Sequence, residues 1–140
     1  MLRVDRITAG IVLDHIRPGQ GLKVFDRLGL RDAGYPVALL MNVTSSKMGR
    51  KDIIKISDTL DLDLTMLGLL APDATVNYIE AGKVTRKVSP GLPERVVGLI
   101  KCKNPRCITA VERQAVSVFT LVDPEAKEYE CSYCGERVRV

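Results

Sequence analysis

"GRKDIIKIS", residues 49–57, alternates with a period of two. Lys51, Ile53, Lys55 and Ser57 share one face of a strand, and Asp52, Ile54 and Ile56 share the other. The second face is mostly apolar and reads as a core face. The first carries two ammonium groups about 13 Å apart along one strand, and nothing within the stretch makes use of either charge. Such a face is either solvated surface or the floor of an anion site.

The flanking sequence predicts the rest of the sheet. "VDRITAGIVLDHI" (4–16) is rich in β-branched residues and reads as a strand that ends before Pro18 and Gly19. "GLKVFDRLGL" (21–30) has apolar residues at 22, 24, 25 and 28, a helical stripe that Gly29 or Gly34 can close. "PVALLMNV" (36–43) is a continuous apolar run suited to a buried central strand. "SSKMG" (45–49) is a turn. "DTLDLDLTMLGLLAP" (58–72) reads as a helix with early aspartates and a terminal proline. "ATVNYI" (74–79) and "KVTRKV" (83–88) read as strands joined by a hairpin turn at Ala81–Gly82.

The resulting order is β-α-β-β-α-β plus one strand, which predicts an α+β fold with a ferredoxin-like antiparallel sheet and two helices. "SPGLPE" (89–94) is the linker candidate, dividing the chain into 1–93 and 94–140. Residues 94–140 are too few to build a sufficient core alone, and all four cysteines lie there.

Those cysteines, Cys102, Cys107, Cys131 and Cys134, stand in "CKNPRC" and "CSYCG". C-x4-C followed by C-x2-C gives two facing knuckles, the donor set for one tetrahedral structural Zn²⁺ with Zn–S near about 2.3 Å. Gly135 suits the turn after the second knuckle, and 111–121 and 127–132 read as strands of a small all-β ribbon. Two disulfides, four buried thiols or an iron–sulfur cluster are the alternatives; a cytoplasmic chain disfavours the disulfides.

The N-terminus "MLRVDRITAG" lacks a signal-peptide core, and no apolar run approaches the ~18 residues of a membrane span, so a cytoplasmic chain without a membrane partner is expected. The net charge of +4 invites a nucleic-acid reading. Residues 94–140, however, hold 8 Lys/Arg against 7 Asp/Glu, and four thiolates on one Zn²⁺ would take that tail to −1. A nearly neutral ribbon is a poor footprint for DNA or RNA. A zinc-ribbon nucleic-acid-binding protein is the rival reading, and a small enzyme using His15 and Asp14 is another, with no activated nucleophile in the sequence to support it.

Several polar groups gather near the ends of the predicted strands: Asp14, His15, Lys51, Lys55, Asn77 and Lys87. Cations beside an aspartate and an asparagine suit a ligand with phosphates at one end and a sugar and base at the other. Each Lys–phosphate contact is worth about 4 kcal/mol of gross Coulomb energy at an effective dielectric near 20, before desolvation. Ile53, between the lysines, can pack on a flat ring. There is no Gly-rich phosphate loop, so this is not a P-loop or Rossmann site. A solvated lysine surface, or an anion surface for another partner, remains the competing account.

"DHI" (14–16), "MGRKDIIKI" (48–56), "LLAPDATVNYI" (69–79), "LPERVVG" (92–98), "CKNPRCIT" (102–109) and "CSYC" (131–134) together resemble the regulatory chain of aspartate carbamoyltransferase over nearly the whole length. The resemblance implies a non-catalytic subunit. Its first domain, 1–93, is a ferredoxin-like allosteric domain binding CTP and ATP, in some members UTP. Its second, 94–140, is a zinc ribbon that contacts the catalytic chain. Regulatory homodimers bridge catalytic trimers in an enzyme committing carbamoyl phosphate and aspartate to pyrimidine synthesis. By position, the resemblance makes Asp14, His15, Lys51, Lys55, Asn77, Ile79, Val84 and Lys87 ligand residues, with backbone groups around Val4, Asp5 and Ile7 reading the base edge. It gives Lys55 to the sugar and base, and Lys51 and Lys87 to phosphates. Gly82 stands where a larger residue can cover the base, and Arg106 and Gly135 lie in the knuckle loops facing the catalytic chain.

Overall fold

Ile54 and Ile56, the apolar face of the opening stretch, have no exposed surface at all, while Lys51, Ile53 and Lys55 are half-buried on the other face. They belong to β3 (Gly49–Ile56) in a computed structural model that describes residues 2–140. The chain divides into two compact units, Met1–Gly91 and Leu92–Val140.

In the first unit β3 joins β1 (Gly10–Ile16), β2 (Val37–Ser45), β4 (Thr75–Glu80) and β5 (Lys83–Val88). All pairs are antiparallel, in the order β2-β3-β1-β4-β5. This is the ferredoxin-like order with β5 added at one edge. Helices α1 (Gly21–Arg27) and α2 (Leu64–Leu70) cover one face of the sheet. There Ile11, Leu13, Ile54, Ile56 and Val76 pack with Val24 and Leu67. Each such side chain contributes about 1.5–3 kcal/mol on burial, before the entropy of ordering it. Gly29, at φ 69, ends the first helix in the left-handed conformation that glycine adopts without penalty.

Four of the expected elements differ. The strand expected over 4–16 begins only at Gly10. The residues before it form an arm whose carbonyls serve other groups: Thr8 accepts from the Gly82 N–H at 2.8 Å, and Val4 and Asp5 accept from Lys55 Nζ at 3.4 Å. The apolar run 36–43 is not a central strand but β2, an edge, half-buried at Leu39 and Leu40 and 59 % exposed at Met41. The helix expected over 58–72 spans only Leu64–Leu70. Its first part, "DTLDLDL", alternates aspartate and leucine with a period of two, and Leu60, Leu62 and Leu64 lie half-buried against the core. Asp63 then caps the helix, its Oδ1 accepting the Met66 N–H at 3.1 Å. In the second unit the strand expected over 111–121 begins at Val118: one helical turn, α3 (Ile108–Val111), follows Cys107, and a turn in which the Ala115 N–H donates to the Glu112 carbonyl at 3.2 Å comes next.

The second unit is a four-stranded antiparallel ribbon in the order β6-β7-β8-β9. Its strands are β6 (Arg95–Val97), β7 (Val118–Asp123), β8 (Glu128–Cys131) and β9 (Arg137–Arg139). Val96, Phe119, Tyr129 and Val138 are its buried apolar residues, beside the cysteines. Four side chains are a thin core for a unit of this size. Among the described residues no helix is long and apolar enough to cross a membrane.

Candidate functional site

The helix-free face of the first sheet is organised in rows. Residues directly opposite in paired strands put their side chains on the same face. Ala38, Lys55, Val12, Asn77 and Lys87 are successive partners and so form one row across all five strands. Gly10, Ile79 and Val84 form the next row to one side. Asp14 and Thr75 are partners on the other side.

Two bulges decide which side chains reach this face. In β5 the partners of Tyr78 and Ile79 are Arg86 and Val84, leaving Thr85 as an extra residue. Without that offset Val84 and Lys87 would fall on opposite faces; with it both face the site. In β1 the register slips between Leu13 and Ile16, and His15 takes φ 57. Leu13 and Ile16 both reach the core, and the Asp14 and His15 side chains lie half-buried at the strand end.

At that end Lys51 Nζ lies 3.0 Å from Asp14 Oδ1. The His15 N–H donates to the same oxygen at 2.6 Å, and His15 Nδ1 lies 3.1 Å from Thr75 Oγ1. Burial alone would raise the Asp14 carboxyl, but the hydrogen bonds from Lys51 and the His15 amide, with the Lys51 charge, hold it below its ordinary value.

The opposite end is apolar and concave. A cavity of about 260 Å³ is lined by Arg6, Ile7, Val12, Lys55, Ile79, Gly82 and Val84. A second, of about 230 Å³, lies across the arm between Val4–Ile7 and Pro36–Ala38 and shares Lys55. The turn at this end has φ 50 at Ala81 and 75 at Gly82, the two left-handed residues of a type I′ hairpin.

The structure thus gathers Val4, Asp5, Ile7, Lys55, Ile79 and Val84 around the apolar end and Asp14, His15 and Lys51 at the charged end. Asn77 and Lys87 stand in the row between. Arg6, Val12 and Thr75 also line the face and were not among the expected residues. Val12 and Thr75 stand two residues from Asp14 and Asn77, so strand alternation carries a signal for both. Arg6 carries none, because the arm has no period.

In the second unit the Sγ atoms of Cys102, Cys107, Cys131 and Cys134 all lie within 4.8 Å of one another. The Cys102–Cys134 and Cys107–Cys131 sulfurs are 3.5 and 3.8 Å apart. A bond between sulfurs needs about 2.05 Å, whereas four sulfurs around a tetrahedral ion at ~2.3 Å have edges of about 3.8 Å. The donor set therefore fits a closed four-thiolate metal site and not two disulfides. Burial pushes the Cys102 thiol up to about 12, although the Asn104 amide points at its sulfur. The Thr109 hydroxyl, 3.2 Å from Cys107 Sγ, and the Thr109 amide bring Cys107 down to about 7. Gly135, at φ 79, donates its N–H to the Cys131 carbonyl at 2.9 Å and so turns the second knuckle.

A ferredoxin-like unit with a cationic sheet face, followed by a four-cysteine metal ribbon, defines the class of protein. The comparisons make it particular. The allosteric domain of the aspartate carbamoyltransferase regulatory chain matches residues 2–90, and the metal-binding domain of the same chain matches residues 94–140. The regulatory chain of Clostridium tetani is 50% identical over 141 residues, spanning 100% of this chain and 98% of that one. That of Clostridium botulinum is 48% identical over 136 residues, spanning 97% and 93%. That of Bifidobacterium longum is 44% identical over 139 residues, spanning 99% and 100%. The chain belongs to the aspartate carbamoyltransferase regulatory-chain family. It is accordingly a non-catalytic chain with an allosteric and a metal-binding domain, and its implied partner is the catalytic chain.

Proposed function

We propose that this regulatory chain binds nucleoside triphosphates on the bare sheet face, CTP and ATP with UTP as a further candidate, and bridges catalytic trimers as a homodimer. The observation that carries the reading is the row Lys55–Val12–Asn77–Lys87, with an apolar cavity at one end and Lys51, Asp14 and His15 at the other. A nucleotide has the same polarity: an apolar ring, a hydrogen-bonding sugar and an anionic tail. Lys55 and the backbone around Val4, Asp5 and Ile7 meet the sugar and base, Ile79 and Val84 pack on the ring, and Lys51 and Lys87 meet phosphates. Asn77 lies between, its Nδ2 already donating to the Val12 carbonyl at 3.4 Å.

The edge strand β2 supports the homodimer. Its outer side pairs with no strand among the described residues, yet it carries exposed Met41 beside Leu39 and Leu40. An apolar open edge is a surface that soluble proteins cover, and a second copy of β2 covers it. We assign residues 1–93 to the nucleotide domain and 94–140 to the domain that contacts the catalytic chain. The metal is assigned as one structural Zn²⁺, which needs no open coordination position to hold the two knuckles. Four cysteines placed as a metal donor set suit a reducing compartment, and we assign the chain to the cytoplasm.

The test is equilibrium binding of ATP and CTP to the isolated chain, with co-sedimentation of the chain and a catalytic trimer and elemental analysis of the metal. No nucleotide bound at millimolar concentration refutes the ligand face. If binding shifts the assembled enzyme between two states, an aspartate-site ligand must shift nucleotide affinity by the same factor, worth about 1–3 kcal/mol.

A further inference from the structure

Asp52 lies on the core face of β3 and has no exposed surface. Its Oδ2 accepts the N–H groups of Gly19 and Gly21, each at 3.0 Å, and its Oδ1 accepts the N–H of Asn42 at 2.8 Å. A carboxylate taken out of water pays a heavy desolvation cost, and three N–H donors aimed at it are what offset it. The donors come from two segments remote in sequence, the turn between β1 and α1 and the outer part of β2. Asn42 sits at φ 61 where β2 slips register between Leu40 and Val43. On the other side of β3, β1 slips between Leu13 and Ile16, and Ile16 is the partner of Asp52 itself. The buried carboxylate is therefore flanked by a bulge in each neighbouring strand. The next residue along β3 is Lys51, which projects through the opposite face to Asp14. Gly21 is fitted to the arrangement, since a Cβ there would stand 2.7 Å from Asp52 Oδ2.

We infer that Asp52 is a positioning residue for the anion end of the nucleotide site. From the far side of the sheet its carboxylate holds the β2 bulge and the segment that leaves β1 just past the other bulge, and with them the backbone that carries Asp14, His15 and Lys51. The inference rests on the nucleotide reading above and adds which end of the ligand the carboxylate serves. Lys55, Val12 and Asn77 stand in a regular stretch of the ladder beyond the bulges. The base end thus keeps its geometry when the bulges relax.

The experiment is calorimetric titration of the full chain with ATP and with AMP, in wild type, Asp52→Asn and Gly21→Ala. Asn places an N–H where at least one backbone donor points; Ala keeps the carboxylate but pushes it aside. Each folded variant is expected to lose about tenfold of the preference for ATP over AMP, the scale of one charge-assisted contact, with AMP affinity unchanged. If Asp52→Asn does not fold, Gly21→Ala alone decides. A wild-type ATP/AMP ratio in a folded variant overturns the inference, and so does an equal loss for both ligands, which marks a purely structural role. A wild-type chain that binds neither ligand overturns the nucleotide reading itself, a result separate from either of those.

Discussion

The Lys51 ammonium lies 3.0 Å from Asp14 Oδ1, and the two side chains are only 18% and 23% exposed. The charged end of the sheet face is therefore already paired. On the nucleotide reading proposed above, an arriving phosphate would meet a lysine that is already oriented and would share it with a carboxylate.

The pairing gives a pH signature. Asp14 titrates below its ordinary 3.8 in the folded chain, because the Lys51 and His15 contacts outweigh burial. The unfolded chain then takes up the proton first as pH falls, so the Asp14 contribution to stability is complete above about pH 5 and is lost as pH drops through the folded value. Asp14→Asn should be less stable than wild type at pH 7, and urea midpoints measured between pH 7 and 3 should converge at the acid end. A gap that stays constant to pH 3 would mean that charge is not what Asp14 supplies.

Lys55 ties the arm to the sheet through the Val4 and Asp5 carbonyls and stands between both cavities. Lys55→Ala should weaken ATP and CTP binding by about 1.5–3 kcal/mol, the range for a hydrogen bond to a charged group. Metal content should be unchanged. Wild-type affinity in calorimetry would remove the ligand from this face.

Metal removal should separate the two units. The ribbon buries few apolar side chains, so its folding should draw on metal binding worth about 10 kcal/mol or more. Cys134→Ser, or chelation of the wild type, should unfold the ribbon and release the chain from the catalytic trimer. The first unit has its own core and should still bind nucleotide. Amide exchange and co-sedimentation read the two outcomes; trimer binding retained without metal would locate the contact elsewhere.

Within the ribbon, the Tyr129 hydroxyl donates to the Pro93 carbonyl at 2.6 Å, anchoring the segment that enters β6. Burial raises the Tyr129 phenol, so it stays a donor through neutral pH. Tyr129→Phe should cost the metal-loaded ribbon about 1–2 kcal/mol, seen as a lower thermal midpoint. An unchanged midpoint would show that water replaces the bond at no loss.

Much of this was legible in the residues. The alternation of β3, the hairpin at Ala81–Gly82, the stripe of α1 and the cysteine spacing each follow from a local period or a turn chemistry. What was not legible depends on partners. A continuous apolar run describes a central strand and an uncovered edge equally well, so β2 was misplaced. "DTLDLDL" carries a strand period, but its aspartates also suit a helix start, and only packing against the core decides. β6 and β9 are three residues each, too short to show any period. At the site, residue types pointed to the face, while the extra residue in β5 that turns Val84 and Lys87 the same way leaves no mark in composition.

Chain length along these strands is consequently not all of one kind. Thr85, His15 and Asn42 lie at positions where the ladder holds one residue more on one side than on the other. Removing Thr85 restores even counting between β4 and β5, so Val84 still meets Ile79 and Lys87 still meets Asn77. Removing Thr120 or Lys55, inside even stretches, would invert every side chain beyond the gap. Related chains that differ in length within β5 should therefore carry the gap at 85 and keep Ile79, Val84, Asn77 and Lys87 on one face, whereas a gap at 15 or 42 would remove a bulge that shapes the charged end.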